Sequence, residues 1–141
     1  MLRKFTPGAN EENEFLASAL AVSADERIVA AACSHPFTPV VHAWEIQSGA
    51  RAWEYSSRGF GLEGAYHLSF SVDGLNLAVS NRGAVDLLDA KSGRLIESQR
   101  LSPPDQGKHG EPRILGTSFT ADGRYYATAN GCGGAYLIRL R

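Results

Sequence analysis

This sequence has few cysteines, no large excess of one charge and no long apolar run. Its 141 residues hold 14 Lys and Arg against 15 Asp and Glu, a net charge of −1. This balance excludes the strongly basic character typical of proteins that bind nucleic acid or anionic membranes. No apolar run is long enough to cross a membrane, and the first residues turn polar without the apolar segment of a secretory signal. We therefore expect a cytoplasmic protein with neither nucleic acid nor membrane among its partners.

Residue patterns that carry catalysis or bind metals are also missing. The two cysteines, Cys33 and Cys132, lie far apart in the chain at no zinc or redox spacing, so we expect packed thiols and no disulfide. His35 and His42 are seven residues apart, without a third ligand at metal-site spacing. Nucleophile elbows, phosphate-binding loops and dinucleotide fingerprints do not occur. The sequence thus predicts no enzyme, no metal and no cofactor.

A threefold internal repeat is the most informative feature that is present. The copies are residues 19–31, 68–79 and 117–128. Their aspartates, Asp25, Asp73 and Asp122, are 48 and 49 positions apart. Each copy predicts a hairpin: a strand, a tight turn with Asp and in two copies Gly, and a second strand. An aspartate that bonds its own turn explains the recurrence, so we expect no acid–base role for these carboxylates.

Two further strands follow the hairpin. The predicted third strands are residues 41–46, 84–89 and 135–140, and the predicted fourth strands are residues 51–55 and 94–98. Four antiparallel strands per repeat of about 48 residues is the arithmetic of a β-propeller blade. The sequence therefore predicts one all-β domain of about three blades, a partial or oligomer-completed propeller. The predicted blades are residues 15–62, 63–113 and 114–141, the last completed by a strand within residues 1–6.

Short motifs in the repeat resemble the WD-repeat family. The turns Phe-Ser-Val-Asp-Gly at 70–74 and Phe-Thr-Ala-Asp-Gly at 119–123 are similar to the family's aromatic-Ser-Pro-Asp-Gly turn. The family's Gly-His pair is absent, and its Trp-Asp pair is replaced by Trp44-Glu45, Leu88-Asp89 and Arg139-Leu140. The resemblance covers roughly residues 15–141. It implies a non-catalytic scaffold for protein–protein interaction with a protein partner.

One segment resembles a second family. Residues 43–53 are similar to the Ala-x-Asp-x-x-Thr-Gly-x-x-x-Trp docking motif of quinoprotein-like propellers, with Trp53 as the docking tryptophan. This resemblance implies a propeller that binds a cofactor or acts in an assembly complex. The second copy carries Glu97 at the tryptophan position, so the WD-type interpretation is preferred. A truncated fragment of a larger propeller, without independent function, is the third alternative.

The third copy lacks a fourth strand, and three blades are fewer than usually close a ring. Phe5 lies seventeen residues before Val22, as Trp53 lies seventeen before Phe70. Residues 2–5 are therefore predicted to be a fourth strand that joins the two ends of a closed propeller, with a loose tail as the alternative. An open arc would expose two apolar faces, so we expect the missing blades in a longer product first, a homodimer second and a capping protein third.

Connections on the two sides of the predicted blades differ in length. The turns within the hairpins are short and uniform, whereas residues 34–39, 56–64 and 102–113 are long, irregular and on the opposite side. Such variation on a rigid scaffold is typical of recognition surfaces. Aromatic and arginine side chains dominate the contact energies of interfaces. The candidate partner-binding residues are therefore Phe37, Arg58, Phe60, His109 and Arg113.

Overall fold

A computed structural model describes residues 3–5, 16–35, 38–56, 67–81, 83–101, 114–130 and 133–140. All regular structure in these residues is β. The strands are β1 (Leu16–Val22), β2 (Ile28–His35), β3 (Thr38–Glu45), β4 (Arg51–Tyr55), β5 (His67–Phe70), β6 (Asn76–Ser80), β7 (Ala84–Asp89), β8 (Leu95–Arg100), β9 (Ile114–Phe119), β10 (Tyr125–Asn130) and β11 (Ala135–Arg139). Within the described part of the chain there is consequently no helix that is long and apolar enough to cross a membrane.

The strands pair in chain order into three antiparallel sheets. The first sheet has the order β1-β2-β3-β4 and the second the order β5-β6-β7-β8, whereas the third holds β9, β10 and β11 with β10 in the middle. The predicted all-β fold of blade-like antiparallel sheets is thereby confirmed. β5 packs against both β1 and β9, and in the described residues the three sheets form an open arc that does not close into a ring.

One hydrogen-bond pattern builds the hairpin turn at the start of every sheet. In the second sheet Ser71 Oγ donates to Asp73 Oδ1 at 2.6 Å, and the same carboxylate oxygen accepts from the Leu75 amide at 3.0 Å. The Asn76 amide donates to Ser71 Oγ at 2.9 Å. The matching pairs Ser23–Asp25 and Thr120–Asp122 repeat the 2.6 Å bond. The recurring aspartate is thus a turn-forming residue, since local side-chain bonds of this kind fix tight turns.

The residue after the turn aspartate needs a left-handed backbone. Gly74 and Gly123 adopt φ of 72° and 67°, and Glu26 takes the same place in the first sheet with φ 57°. A side chain in this region costs about 1–2 kcal/mol, and glycine avoids that cost. The first hairpin therefore carries a strained residue that the other two lack.

Burial along the strands follows their place in the stack of sheets. Residues 77–80 of β6 and 85–88 of β7 are all buried, because neighbouring sheets cover both faces of the second sheet. β11 instead alternates between exposed and half-buried residues, as expected for a strand covered on one face. The core between the first and second sheets contains Ala30, Ala32, Val41, Ala43, Trp53, Leu77, Val79 and Leu88. The core between the second and third contains Ala78, Val85, Leu87, Leu101, Ile114, Phe119 and Tyr126.

The connection between β2 and β3 differs from the prediction. The backbone pairs Ser34↔Pro39 and His35↔Thr38 extend this hairpin, so only residues 36 and 37 separate the two strands. The expectation of a long connection at 34–39 is therefore wrong, because strand pairing continues to the tip of the hairpin. The connections after β4 and after β8 are long, as predicted.

The register of the third sheet also corrects one predicted correspondence. Ile138 pairs with Tyr126 in the position that Leu88 holds opposite Leu77. The residues that match Leu88-Asp89 therefore begin at Ile138, one position earlier than expected. The predicted match placed the two third strands 51 residues apart, from Leu88 to Arg139, whereas the pairing with Leu77 and Tyr126 places them 50 apart, from Leu88 to Ile138.

Candidate interaction surfaces

Trp53 joins the first sheet to the second. From β4 its Nε1 donates to the Ala90 carbonyl oxygen at 3.0 Å, and its ring lies against Gly93. A Cβ at Gly93 would stand 2.6 Å from ring atoms Cδ2 and Cε3, and the φ of Gly93 is +69°. Both the contact and the backbone therefore require glycine at this turn. Trp53 docks on the next sheet and does more than pack within its own strand.

A buried aspartate forms a second link across the same junction. Tyr55, two residues after Trp53, donates from Oη to Asp86 Oδ2 at 2.9 Å. Ser98 Oγ on β8 donates to Asp86 Oδ1 at 2.5 Å. Asp86 is 2% exposed, and a buried carboxyl group is costly unless such donors reach it. This link was not predicted, because Asp86 lies within an otherwise ordinary strand sequence.

The junction between the second and third sheets is filled differently. In both the first and the second sheet the fourth strand pairs with the third. By this pairing Glu97 of β8 corresponds to Trp53 of β4, and Gln99 corresponds to Tyr55. Gln99 Nε2 donates to Glu97 Oε1 at 2.5 Å. Beside them is an open groove of about 650 Å³, lined by Gln99, Ile138, Arg139 and Leu140. An apolar recess adjoins it, lined by Val85, Leu87, Glu97, Gln99, Tyr126, Ile138 and Leu140. The second junction thus has a groove where the first has a docked indole.

The first sheet has a face turned away from the second, which we call the leading face. Register places Leu20, Val22, His42 and Trp44 on it. Trp44 and His42 are each 4% exposed, whereas Leu20 is 68% and Val22 50% exposed. The leading face is therefore covered over β3 and open over β1.

Residues 3–5 lie on the leading face in the way that β4 lies on the second sheet. Ile46 and Ala90 hold matching positions, since each follows the last residue of a third strand. Arg3 Nη1 donates to the Ile46 carbonyl oxygen, as Trp53 Nε1 donates to that of Ala90. Arg3 Nη1 also donates to the Gln47 carbonyl oxygen. A side chain from an earlier segment thus binds the same backbone group in both sheets.

The glycine of the turn confirms this correspondence. Gly49 and Gly93 each donate an amide hydrogen to the carbonyl oxygen four residues earlier, at 2.8 Å. Arg3 Cδ lies 3.8 Å from the Cβ position of Gly49. Phe5 lies against Trp44, with ring centroids 5.9 Å apart. Residues 3–5 are not a strand here, and Arg3 rather than the predicted Phe5 takes the place of the docking tryptophan.

The third sheet has a face turned away from the second, which we call the trailing face. Register places Ala127 opposite Leu137 and Tyr125 opposite Arg139 on it. Leu137 is 64% exposed. Within the described residues no strand pairs with the outer edge of β11. In the described part of the chain, the trailing face and this edge together form an uncovered end of the stack.

The connection between β8 and β9 starts and ends on buried residues. The Leu101 amide donates to the Gly83 carbonyl oxygen at 2.8 Å, and the Leu101 side chain is 9% exposed. Ile114, at the other end, is 1% exposed and packs in the same core as Leu101. The two residues that flank positions 102–113 therefore pack in one core.

Predicted partner-binding residues fall in the connections. The residues Phe37, Arg58, Phe60, His109 and Arg113 lie outside the described residues and stay predictions.

On the opposite side, the Ser71 hydroxyl and then the Leu75 amide lower the pKa of Asp73 below its usual value of 3.8. The nearest hydroxyl and an amide of the turn lower the pKa values of Asp25, Asp89 and Asp122 in the same way.

Two chemically reactive side chains lie on the leading face. Cys33 is a buried free thiol whose pKa is raised by burial. His42 Nδ1 lies 4.0 Å from Glu54 Oε2, and its ring centroid lies 5.7 Å from that of Trp44. In the described ranges no three His, Cys, Asp or Glu side chains come together as a metal site. Packing accounts for the placement of both residues.

No family model matches this chain, and no curated protein is similar to it in sequence. The class that the fold defines is an all-β stack of antiparallel, blade-like sheets.

Proposed function

We propose that this chain is a non-catalytic protein-interaction module of the WD-repeat kind. It binds a protein partner through the side that carries the long connections after β4 and β8. The placement of Leu101 and Ile114 carries the proposal, because these two residues flank the connection 102–113 and pack in one core. A long connection on such a base presents varied side chains to a partner with little movement at its ends.

The opposite side of the sheets supports this choice of surface. Its hairpin turns are short, and their hydroxyl and carboxylate groups bond within the turn, as Ser71 and Asp73 do. Polar groups that already have local partners offer less to an incoming protein. The long connections carry the aromatic and arginine residues that dominate contact energies at interfaces.

A pair of double variants tests the binding side. A partner is captured by crosslinking, purified, and titrated against the chain by calorimetry. Replacing Arg58 and Arg113 with alanine is expected to weaken binding about tenfold or more, since one hot-spot arginine contributes about 2 kcal/mol. The matched control replaces Arg27 and Arg124, whose side chains are 84% and 76% exposed on the turn side. Loss of binding in the control alone, or in both equally, would contradict the proposal.

The Trp53 contact favours a second candidate, a cofactor-binding propeller of the quinoprotein-like kind. Trp53 is the residue on which that resemblance rests, and it docks on Ala90 and Gly93 of the next sheet. The chain would be incubated with a quinone cofactor and followed by absorbance and by quinone-dependent dye reduction. A bound quinone spectrum supports this candidate, and an unchanged spectrum without dye reduction rejects it.

A further inference from the structure

We propose that a second copy of this chain closes the arc, with residues 3–5 of each copy pairing along the β11 edge of the other. The surfaces involved are the leading face, the trailing face and that edge. None of them includes a residue of the long connections, so this proposal can fail while the proposed function stands.

The placement of residues 3–5 is the first argument. Arg3 binds the Ile46 carbonyl oxygen as Trp53 binds that of Ala90, and Arg3 lies over Gly49 as Trp53 lies over Gly93. In the second case the docking residue belongs to the fourth strand of the preceding sheet. Residues 3–5 therefore stand where the fourth strand of a sheet preceding β1 would stand.

The third sheet supplies the complementary half. It contains three strands in the described residues, and the edge of β11 corresponds to the edges of β3 and β7 that pair with β4 and β8. Residues 3–5 of the same chain lie at the other end of the open arc, on the leading face. The edge of β11 and the segment that fits it therefore meet when two copies stand end to end.

The two apolar faces support the same arrangement. Leu20 and Val22 are exposed on the leading face, and Leu137 is exposed on the trailing face. At each existing junction the trailing face of one sheet packs on the leading face of the next. Packing the trailing face of one copy on the leading face of the other repeats this geometry and removes apolar surface from water.

Closure of the assembly follows from symmetry. The proposed contact joins two different surfaces, so it either closes into a ring or continues as a filament. Two copies of the three described sheets form a ring of six sheets with two equivalent junctions. Six lies within the range of about four to eight blades in propellers. A dimer is therefore the expected assembly.

Light scattering after size-exclusion chromatography tests the dimer. We expect a mass of twice 15.2 kDa for the unaltered chain. Leu137→Lys is expected to give a folded monomer, because Leu137 is exposed in one copy and buried in the proposed junction. Leu75→Lys is the matched control, since Leu75 is 65% exposed in a hairpin turn away from both faces, and it is expected to remain dimeric. A monomeric unaltered chain, or a dimer that persists with Leu137→Lys, would overturn the proposal.

A second pair of variants addresses residues 3–5. The substitution Phe5→Ala removes the ring contact with Trp44. It is expected to raise the dissociation constant of the dimer at least tenfold. Lys4→Ala, at an exposed position between Arg3 and Phe5, is expected to change it less than twofold. Circular dichroism and tryptophan fluorescence confirm that each variant is folded. Equal dissociation constants for the two variants would reject the role of this segment.

Discussion

The junction between the first and second sheets and the junction between the second and third share a backbone plan but differ in side chains. The first has the Trp53 indole against Gly93 and a Tyr55–Asp86 hydrogen bond. The second has Glu97 and Gln99 at the corresponding positions, beside an open groove. Repetition of the fold has not brought repetition of the contacts between sheets.

The comparison shows what makes a firm junction in this chain. A large side chain on the fourth strand must meet a glycine turn on the next sheet, because any Cβ there would collide with the ring. A hydrogen-bonded polar pair can then add a directional contact between the sheets, since a buried carboxyl group requires its donors. Where both features are missing, the junction depends on the apolar contacts of Ile138, Leu140 and Tyr126.

Truncation of Trp53 is expected to have the largest effect. Trp53→Ala should lower the free energy of unfolding by about 3–5 kcal/mol, because it empties a buried site and removes the bond to Ala90. Glu97→Ala, at the corresponding position of the second junction, should change it by no more than about 0.5 kcal/mol. Urea denaturation measures both values. Similar losses in the two variants would remove the distinction between the junctions.

Alanine at Gly93 and at Gly49 separates the energetic cost of backbone strain from the cost of a steric clash. Gly93→Ala should cost about 2–5 kcal/mol, the sum of a left-handed alanine and overpacking against Trp53. Gly49→Ala has the same backbone strain, with φ +74°, but meets only the flexible Arg3 side chain at 3.8 Å, so about 1–2 kcal/mol is expected. Thermal and urea unfolding report the difference. If the two glycines tolerate alanine equally well, Trp53 does not dock as described.

Loss of one hydroxyl should have the smallest of the three effects. Tyr55→Phe removes the donor to Asp86 and should cost about 1–3 kcal/mol, because it leaves a buried acceptor without its partner. Gln99→Ala, at the corresponding place in the second junction, should cost about 0.5 kcal/mol or less. Chemical denaturation compares the two. Adding Asp86→Asn to each variant checks the link between Asp86 and Tyr55. The double variant of Asp86 and Tyr55 should lose less free energy of unfolding than the two single variants lose together.

The sheets were predictable from the sequence because their causes are local. The Asp-Gly turns and the alternating strands repeat with a fixed spacing, so the hairpins followed from pattern alone. The tip of the β2–β3 hairpin was missed, because Pro36 and Pro39 suggested a loop while the strands continue to His35 and from Thr38. Strand ends depend on pairing that a single segment does not reveal.

The contacts between sheets were predicted less well. Trp53 was recognised through one motif, but the Asp86 link and the role of Arg3 depend on which residues face each other across sheets. Counting residues matched Phe5 with Trp53, whereas contacts match Arg3 with Trp53. The spacing argument failed because it assumed equal connections before β1 and before β5. The five predicted partner-binding residues lie outside the described part of the chain and stay untested.

Native-state hydrogen exchange is the most direct test of the difference between the two junctions. In the Leu137→Lys variant, where no second copy covers β11, amides of residues 136–138 should exchange at least tenfold faster than those of residues 77–79. The second sheet is buried on both faces and held by Trp53, whereas β11 is covered on one face and borders an open groove. Equal protection of the two segments would contradict the account.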